Sequence, residues 1–581
     1  MFFSRLKESK YATLILAIIF AFTLFLQCSF FHYQAFHSIF ISSLWKDPVV
    51  AWTLYAPKIS ISLFIASFVF LFKRKSWTIY VSFLVSIWCI AELVYYRANG
   101  IFLDAYSFTM IGNMDGFWDS IFVFVYISDF IIFIPTLITL LIYYLFKNKQ
   151  NNISLYVCTI LISCTLHIMA ANGIELLAVR NQFPHKKIYY NPFSKNSILH
   201  FWGFTCIDYI RQTSLIHSLI NESKNLILLP FEDDKYVMND LDKHKANEFI
   251  KIESVNEYTN KKLIIILVES FENWAITEYT MPNVYNFIKQ NDNILYHRRI
   301  KKQTKAATSA DGQMIINTGL LPIKSGATCY QHPYNIYPAL SKLYNSAVGL
   351  IPGNIGTWNQ KRMSDAYGFK ENILNPNSDD SIMVSQLIDV KYEYDYILAI
   401  TMASHSPFKF CAHRSKLKLA NDVPSDISYY LKSLNFTDLH LGSFLSTIKS
   451  DSILQNSTIV ITGDHTIFPS EIRKEFSDYC KTNNLDYKVE EAYCPLIIYS
   501  PNIKEKTIVD EEAYQMDIYP TILYVIGAED YYWNGFGVNL LDSVARRNRP
   551  ISPEDAFELS DKLIRANYFK EIEDSLYSQN Y

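Results

Sequence analysis

Leu263-Ile-Ile-Ile-Leu-Val-Glu269-Ser270 and Ile459-Val-Ile-Thr-Gly-Asp464-His465 are two apolar segments that each end in side chains able to bind a metal ion. Continuous runs of Val, Ile and Leu are typical of strands buried on both faces in a parallel sheet. Ligands of open α/β sheets bind beyond the carboxyl ends of the strands. Either segment alone also fits a solvated carboxylate at a strand end. The two together predict a metal site formed by Glu269, Asp464 and His465.

A third segment, Thr308-Ser-Ala-Asp311-Gly-Gln-Met-Ile-Ile-Asn317, predicts a helix that starts at Thr308 or Ser309 and ends before Gly319. Thr308 with Asp311 three residues on also resembles a capping box, which would explain both residues without any chemistry. A hydroxyl at a helix N-terminus, however, lies in a positive potential that stabilises an alkoxide and a bound phosphate. Next to a metal ion, such an oxygen is a competent nucleophile.

The N-terminal part of the chain predicts membrane spans. Of the 581 residues, 50% are hydrophobic and 15% are aromatic, and a bilayer requires about 20 apolar residues in each helix. The five candidate spans are 11–31, 52–72, 77–96, 127–146 and 153–171. Glu92, Asp129 and His167 lie in or near these spans. They would either line a transport path or, as we expect, make contacts at span ends and between helices.

Basic residues orient the spans. They precede the first span and separate the second from the third and the fourth from the fifth, at Arg5, Lys7, Lys10, Lys73, Arg74, Lys75, Lys147 and Lys149. Because cytoplasmic loops are rich in Lys and Arg, the N-terminus is predicted to be cytoplasmic and the chain after about residue 172 to lie on the other side. We therefore expect a multi-pass protein of the cell membrane, or of the inner membrane where there are two, with the first span retained as an anchor.

The predicted fold class is an α-helical membrane domain of five spans plus an α/β domain with a mainly parallel sheet. The expected domains are the membrane domain at 1–171, a connector with juxtamembrane helices at 172–260, an extracytoplasmic catalytic domain at 261–545 and a C-terminal helical tail at 546–581. Ser552 is predicted to cap the tail helix, which should run to about Leu576. The expected strands are Leu263–Val268, Tyr396–Thr401, Thr458–Thr462 and Pro495–Tyr499.

Charge and cysteine usage narrow the functional classes. The formal net charge is −3, and the sequence has no basic, aromatic-interleaved motif, so we expect no nucleic-acid partner. The nine cysteines show no zinc-binding spacing. Five of them follow the spans, where a bridge such as Cys480 to Cys494 is permitted but not required.

Together, these segments resemble the lipoteichoic acid synthase branch of the alkaline phosphatase and sulfatase superfamily. The motifs that match are Val268-Glu269-Ser270, Ser309-Ala-Asp311-Gly312-Gln313, Gly353-Asn354-Ile-Gly-Thr-Trp358-Asn359, Ser404-His405-Ser406-Pro407-Phe408, Gly463-Asp464-His465 and Asp517-Ile-Tyr-Pro520-Thr521. The plan of five spans followed by an extracytoplasmic domain also matches. The resemblance implies a sulfatase-like fold for the catalytic domain.

The resemblance further implies one divalent metal ion, often manganese, with zinc and magnesium as alternatives. Its ligands would be Glu269, the oxygen of the nucleophile, Asp464 and His465. The family nucleophile lies two residues before an Asp, and this position is Ser309 here. Thr308, one position away, is the alternative nucleophile.

Substrate-binding residues follow from the same resemblance. His405 matches the family's His that contacts the substrate phosphate, and Trp358, followed by Asn359, matches the aromatic residue that flanks the headgroup. The family's Arg after this Trp has no clear match among Gln360, Lys361 and Arg362. The identity of the headgroup therefore stays open.

The implied activity is transfer of a phosphoglycerol or phosphoethanolamine headgroup from a phospholipid donor to an envelope glycan or lipid acceptor, through a phosphoryl-enzyme intermediate. A phosphodiesterase that passes the group to water would use the same residues. A sulfatase would need Cys or Ser in a C/S-x-P-x-R signature, which the sequence around Ser309 lacks. A non-catalytic binding or transport protein would not be expected to keep a nucleophile together with every metal ligand.

Overall fold

The computed structural model of the protein describes residues 11–36, 48–99, 102–103, 107, 124–145, 151–179, 214–228, 236–251, 262–324, 326–468, 470–489 and 492–578. Most of the basic residues that orient the spans, and most of the predicted connector, lie outside these ranges. The chain divides into two compact units. They are Met1–Ala105 with Ile121–Glu232, and Tyr106–Ser120 with Asp233–Tyr581.

The first unit is helical. Its helices are α1 Ala12–Phe36, α2 Pro48–Ser67, α3 Trp77–Asn99, α4 Ile134–Leu145, α5 Ile153–Val179 and α6 Leu215–Leu228, with 3₁₀ turns at Phe68–Phe70 and Ile127–Phe133. Among the described residues, Ala12–Phe36, Trp77–Arg97 and Ile127–Leu145 are long and apolar enough to cross a membrane, and Tyr55–Phe70 and Ile153–Met169 are shorter apolar helices. Each of the five predicted spans thus falls on an apolar helix, and three of them have the length of a span.

Buried polar contacts join these helices. The Gln27 amide of α1 donates to the Ser82 carbonyl at 2.7 Å, to the Ser86 hydroxyl at 2.8 Å and to the Thr136 hydroxyl at 3.0 Å. Asp129 forms an ion pair with Arg97 at 2.7 Å. Such contacts hold apolar helices together where hydrophobicity alone does not select a partner. Asp129 therefore makes a contact between helices, as the sequence led us to expect.

The second unit contains a nine-stranded sheet. Its strands are β1 Leu263–Val268, β2 Ile294–Lys301, β3 Ala347–Pro352, β4 Glu371–Asn375, β5 Tyr396–Ile400, β6 Thr458–Gly463, β7 Cys494–Tyr499, β8 Thr507–Val509 and β9 Ala513–Tyr514. The order is β4-β3-β5-β1-β6-β7-β2-β8, with β9 paired to β2. All residues of β1 and β6 are buried, which explains their unbroken apolar sequences.

The sheet is mixed, with both parallel and antiparallel pairings between neighbouring strands. β7 runs antiparallel to both of its neighbours, β6 and β2, and the other pairings are parallel. The chain leaves β6 and enters β7 at the same edge of the sheet. The segment between them is therefore not the crossover that the sequence pattern suggested.

Helices cover the sheet and follow it. They are α7 Asp240–Asn247, α8 Pro282–Gln290, α9 Thr308–Thr318, α10 Thr328–Gln331, α11 Gln360–Tyr367, α12 Asp380–Val390, α13 Lys409–Ala412, α14 Ser425–Thr447, α15 Ser452–Gln455, α16 Ser470–Asn483, α17 Ile518–Ile526, α18 Ser543–Arg547, α19 Pro553–Arg565 and α20 Tyr568–Ser578. Short 3₁₀ helices lie at Asn273–Ala275, Leu340–Leu343, Thr357–Asn359 and Gln515–Asp517.

The C-terminal tail is two helices rather than the single predicted one. The Ser552 hydroxyl accepts a hydrogen bond from the Asp555 amide at 3.1 Å, so the predicted cap is present. The helix is interrupted at Asn567, whose φ is 49°, a conformation that breaks the regular helical hydrogen bonds. Ser560 of α19 accepts a hydrogen bond from the Leu321 amide at 2.9 Å. This contact joins the tail to the segment that follows α9.

Candidate metal and nucleophile site

The register of two central strands forms the metal-binding cluster. β1 and β6 are parallel, with Val268 opposite Gly463, so the next residues, Glu269 and Asp464, leave the sheet side by side. One ligand atom each of Glu269, Asp464 and His465 lies within 4.8 Å of the others, and all three residues are buried. The three metal ligands predicted from the sequence are therefore brought together.

The cluster has an excess of negative charge. His465 Nε2 lies 3.2 Å from Glu269 Oε1 and 3.6 Å from Asp464 Oδ2. Burial, together with the neighbouring Glu269 charge, raises the pKa of Asp464 to about 7. Burial lowers the pKa of His465, but the charges of Asp464 and Glu269 outweigh this effect and raise it to about 9. Two buried carboxylates thus compete for one cation, and a metal ion would satisfy both.

The donor atoms fit a divalent cation. Asp464 Oδ2 is buried and accepts no hydrogen bond from the described residues, although His465 Nε2 lies 3.6 Å away. A buried carboxylate oxygen without a hydrogen bond is costly. Two carboxylates, an imidazole and an adjacent hydroxyl suit manganese, magnesium or zinc. The orphaned oxygen of Asp464 is accordingly explained if the cluster holds a metal ion.

Ser309, and not Thr308, has its hydroxyl at this cluster. Ser309 Oγ donates a hydrogen bond to Glu269 Oε2 at 3.1 Å and lies 3.2 Å from His465 Nε2. α9 begins at Thr308, as predicted, but its N-cap is Ala307 and no side chain caps it. Thr308 has a φ of 20°, which is strained for a β-branched residue.

The capping box suggested by the sequence does not form. The Asp311 carboxylate accepts hydrogen bonds from the backbone amides of Lys305, at 2.8 Å, and Ala307, at 3.2 Å. Burial raises the pKa of Asp311 to about 6. Asp311 therefore fixes the turn that enters α9, instead of pairing with Thr308.

A glycine permits the close approach of α9 to the metal ligands. A Cβ atom at Gly312 would lie 2.5 Å from the Asp464 carbonyl oxygen, well inside contact distance. The same carbonyl accepts a hydrogen bond from the side-chain amide of Gln515 at 2.6 Å. The helix α9 and the end of β6 are therefore held at a fixed distance from each other, and this distance places Ser309 beside Glu269.

Further residues orient the ligands, and the sequence did not single them out for this role. Thr401 Oγ1 accepts a hydrogen bond from the Glu269 amide at 3.0 Å, and the Ser404 hydroxyl donates to the Glu269 carbonyl at 2.6 Å. The Ser270 hydroxyl donates to Glu269 Oε1 at 2.8 Å, and the Ser270 amide donates to Asp464 Oδ1 at 2.8 Å. Thr401 directly follows β5, so its position beyond a strand end was the available signal.

The predicted phosphate-binding residue His405 lies on the loop after β5. His405 Nδ1 is 2.7 Å from the Ser406 carbonyl. Asp380, at the start of α12, accepts hydrogen bonds from the amides of Met402 and Ala403 at 2.7 and 3.1 Å. This buried carboxylate fixes the loop that carries His405.

Trp358 and Asn359 follow β3, a strand whose carboxyl end lies at the same edge of the sheet as those of β1 and β6. Both have a positive φ, 53° and 52°. The side-chain amide of Asn359 donates a hydrogen bond to the Cys329 carbonyl at 2.9 Å. The centre of the Trp358 ring lies 6.4 Å from the centre of the Tyr330 ring. These two predicted headgroup residues are thus packed against α10, the short helix downstream of α9.

Both parts of the chain match families of known proteins. The lipoteichoic acid synthase N-terminal domain family matches residues 2–214, and the sulfatase family matches residues 261–528. A lipoteichoic acid synthase of Staphylococcus saprophyticus is 22% identical over 569 residues, which are 91% of this chain and 85% of the relative. Lipoteichoic acid synthase 2 of Bacillus subtilis is 23% identical over 536 residues, which are 86% of this chain and 79% of the relative.

The fold has a solved counterpart of similar length. The integral membrane lipooligosaccharide phosphoethanolamine transferase A of Neisseria meningitidis covers 90% of this chain and 97% of its own, with a TM-score of 0.50 and 9% identity. The α/β unit is thus a sulfatase-like domain that follows an apolar helical region. Along most of its length the chain is therefore similar to lipoteichoic acid synthases, with the N-terminal family match followed by the sulfatase match.

Removal of any one metal ligand should lower metal affinity. We expect Glu269→Ala, Asp464→Ala and His465→Ala each to weaken Mn²⁺ binding by more than about 100-fold, since loss of an outer hydrogen-bonding partner alone costs roughly 10–100-fold. Ser270→Ala, which removes the hydroxyl that donates to Glu269 Oε1, should fall in that smaller range. Isothermal titration with Mn²⁺ and elemental analysis would measure both effects.

Asp438→Asn is the matched control for these ligand variants. Asp438 is also a buried carboxylate of the α/β unit, but it accepts hydrogen bonds from the Asn283 and Val284 amides. Its substitution should leave the Mn²⁺ affinity unchanged. Full metal occupancy in all three ligand variants would show that the cluster is not the metal site.

Proposed function

We propose that the protein is a membrane-anchored, metal-dependent transferase. It moves a phosphoglycerol or phosphoethanolamine headgroup from a phospholipid to an envelope glycan or lipid acceptor, and Ser309 is its nucleophile. The observation that carries this proposal is the position of Ser309 Oγ, 3.1 Å from Glu269 Oε2 and 3.2 Å from His465 Nε2. The relatives named as lipoteichoic acid synthases support the same class of reaction.

The chemistry follows from this arrangement. Ser309 Oγ attacks the phosphorus of the lipid headgroup, the bond from phosphorus to the diacylglycerol oxygen breaks, and a phosphoserine ester forms. An acceptor hydroxyl then attacks the same phosphorus and releases Ser309. Glu269, Ser309, Asp464 and His465 would hold the divalent ion, for which manganese is the first candidate. When bound, that ion lowers the pKa of the hydroxyl and offsets charge on the phosphate oxygens.

The other predicted residues would bind the substrate. His405 is assigned to the phosphate because it follows β5 and directly succeeds Ser404, whose hydroxyl donates to the Glu269 carbonyl at 2.6 Å. Trp358 and Asn359 are assigned to the headgroup because they extend from the adjacent strand β3 at the same edge. Asp380 would keep His405 in position through the Met402 and Ala403 amides.

The membrane domain would hold the catalytic domain next to its lipid donor. We assign residues 1–171 to five spans, 172–260 to a juxtamembrane connector, 261–545 to an extracytoplasmic catalytic domain and 546–581 to a helical tail. The apolar helices at each of the five positions support the spans. Tethering raises the effective concentration of a donor lipid at the outer leaflet.

Variants of Ser309 and Thr308 distinguish the residue that acts as the nucleophile from a residue that only begins the helix. Ser309→Ala should reduce headgroup transfer to the background rate, because it removes the hydroxyl that lies at both Glu269 Oε2 and His465 Nε2. Thr308→Ala should retain transfer and change stability by only about 0.5 kcal/mol, since no side chain caps α9. Transfer is measured with radiolabelled phosphatidylglycerol or phosphatidylethanolamine, and folding by thermal unfolding.

The opposite pattern would assign the reaction to Thr308. Wild-type turnover in both variants would contradict the proposed chemistry. Release of free headgroup into water at the same rate with and without acceptor would identify the protein as a phosphodiesterase.

Reporter fusions test the orientation. Alkaline phosphatase is active only outside the cytoplasm, so a fusion placed after residue 172 should be active and one placed in the Lys73–Lys75 loop should be inactive. A green fluorescent protein fusion at the same two positions is the reciprocal control, because it fluoresces only in the cytoplasm after this export route. Inverted activities would contradict both the topology and the access of the site to outer-leaflet lipid.

A further inference from the structure

A groove of about 2000 Å³ lies in the α/β unit, and none of the predicted site residues lines it. Its walls are formed by α8, β2, the C-terminal end of α16 with the residues after it, and the segment 416–423. The groove lies over the part of the sheet that contains β2 and β8. The transfer chemistry proposed above does not use it.

The wall at residues 416–420 displays lysines in a regular pattern. In Lys416-Leu-Lys-Leu-Ala420 the side chains alternate, since Leu417 and Leu419 pack against the hydrophobic core and Lys416 and Lys418 are exposed. Neither lysine forms an ion pair with a described residue. The alternation in burial places both lysines on the exposed side of this wall, and both line the groove. The two ammonium groups are therefore available to a ligand.

The groove has an excess of positive charge. Seven basic and three acidic side chains are among its described lining residues. One acidic residue, Asp510, is already paired with Arg298 at 3.1 Å. A concave surface with a net charge of one sign concentrates ligands of the opposite sign. The groove is thus suited to an anionic ligand.

Aromatic rings supply a second kind of contact. Tyr279 is 79% exposed at the groove, and Tyr285, Tyr487 and Tyr493 are half-buried in its walls. The Arg299 guanidinium lies 4.8 Å from the centre of the Tyr493 ring. Tyrosine offers an apolar ring face with a polar tip, which suits the C–H faces and hydroxyls of a sugar ring. Rings next to cations therefore indicate a ligand that has both sugar units and negative charge.

The groove is connected to the metal site through Glu272. The Trp274 indole, in the groove wall, donates to Glu272 Oε2 at 2.5 Å. Glu272 Oε1 accepts hydrogen bonds from the Ile467 amide, at 2.8 Å, and from Arg473. Ile467 lies two residues after His465. The groove wall and the loop of the metal ligand thus share one buried network.

We propose that this groove binds an anionic glycan chain, with sugar rings on the tyrosines and phosphate or carboxylate groups on Lys416 and Lys418. The concave shape favours a chain over the flat surface of a bilayer. The ring faces distinguish a glycan from a simple polyanion. Binding here is independent of the chemistry at Ser309, and it would keep an envelope polymer beside the membrane-anchored enzyme.

The test measures binding to the full-length protein in nanodiscs of neutral lipid. The probes are three fluorescent oligosaccharides of equal length, one phosphorylated, one carboxylated and one neutral, followed by fluorescence anisotropy. Lys416→Glu/Lys418→Glu should weaken binding of the preferred anionic probe by about tenfold or more, equal to about 1.4 kcal/mol, and wild-type binding should weaken as salt is raised. Tyr279→Ala should also weaken it.

Lys245→Glu/Lys370→Glu is the matched control, because both lysines are exposed outside the groove, neither forms an ion pair with a described residue, and the change in net charge is the same. This variant should bind as the wild type does. Preference between the two anionic probes identifies the charged group. Equal loss in both double variants, or equal binding of the neutral probe, would overturn the proposal. Unchanged headgroup transfer by the groove variants on a small acceptor separates this outcome from a failure of the proposed function.

Discussion

The parallel pairing of β1 with β6 is the constraint on which the site depends. Because Val268 lies opposite Gly463, two carboxylates and an imidazole emerge from adjacent strands into a buried space. Burial, and then the neighbouring Glu269 charge, raises the pKa of Asp464 to about 7. Burying these groups together without a bound cation would destabilise the folded domain. This physical conflict is the strongest argument for a metal ion.

The second constraint is the distance between α9 and the end of β6. Gly312 allows the helix to contact the Asp464 backbone, and Gln515 holds the same carbonyl from the other side. Ser309 is three residues before this contact, close to one helical turn away, and therefore lies over the cluster. Asp311 completes the arrangement by fixing the turn before α9 through the Lys305 and Ala307 amides. Its carboxylate has a structural role, although it belongs to the motif that identified the family.

Much of this could be predicted because β1 and β6 are buried on both faces. Their apolar runs identified the strands, and the residues after them identified the ligands. β2 was not predicted, because His297, Arg298 and Arg299 interrupt its apolar pattern and the two arginines line a groove. The direction of β7 was also not predicted, since the sequence of a short apolar strand does not show whether the strand runs parallel or antiparallel to its neighbours. Thr401, Ser404 and Asp380 act through hydrogen bonds to residues distant in the chain, and such contacts leave no local pattern.

The central claim is that Ser309 becomes covalently attached to the transferred group. The most direct measurement is peptide mass spectrometry of the full-length protein after incubation with phosphatidylglycerol or phosphatidylethanolamine and without acceptor. The account predicts that the peptide containing Ser309 gains the mass of phosphoglycerol or phosphoethanolamine, that fragmentation places it on Ser309, and that Ser309→Ala abolishes it. An adduct on another residue, or turnover of the lipid with no adduct under rapid quenching, would contradict it.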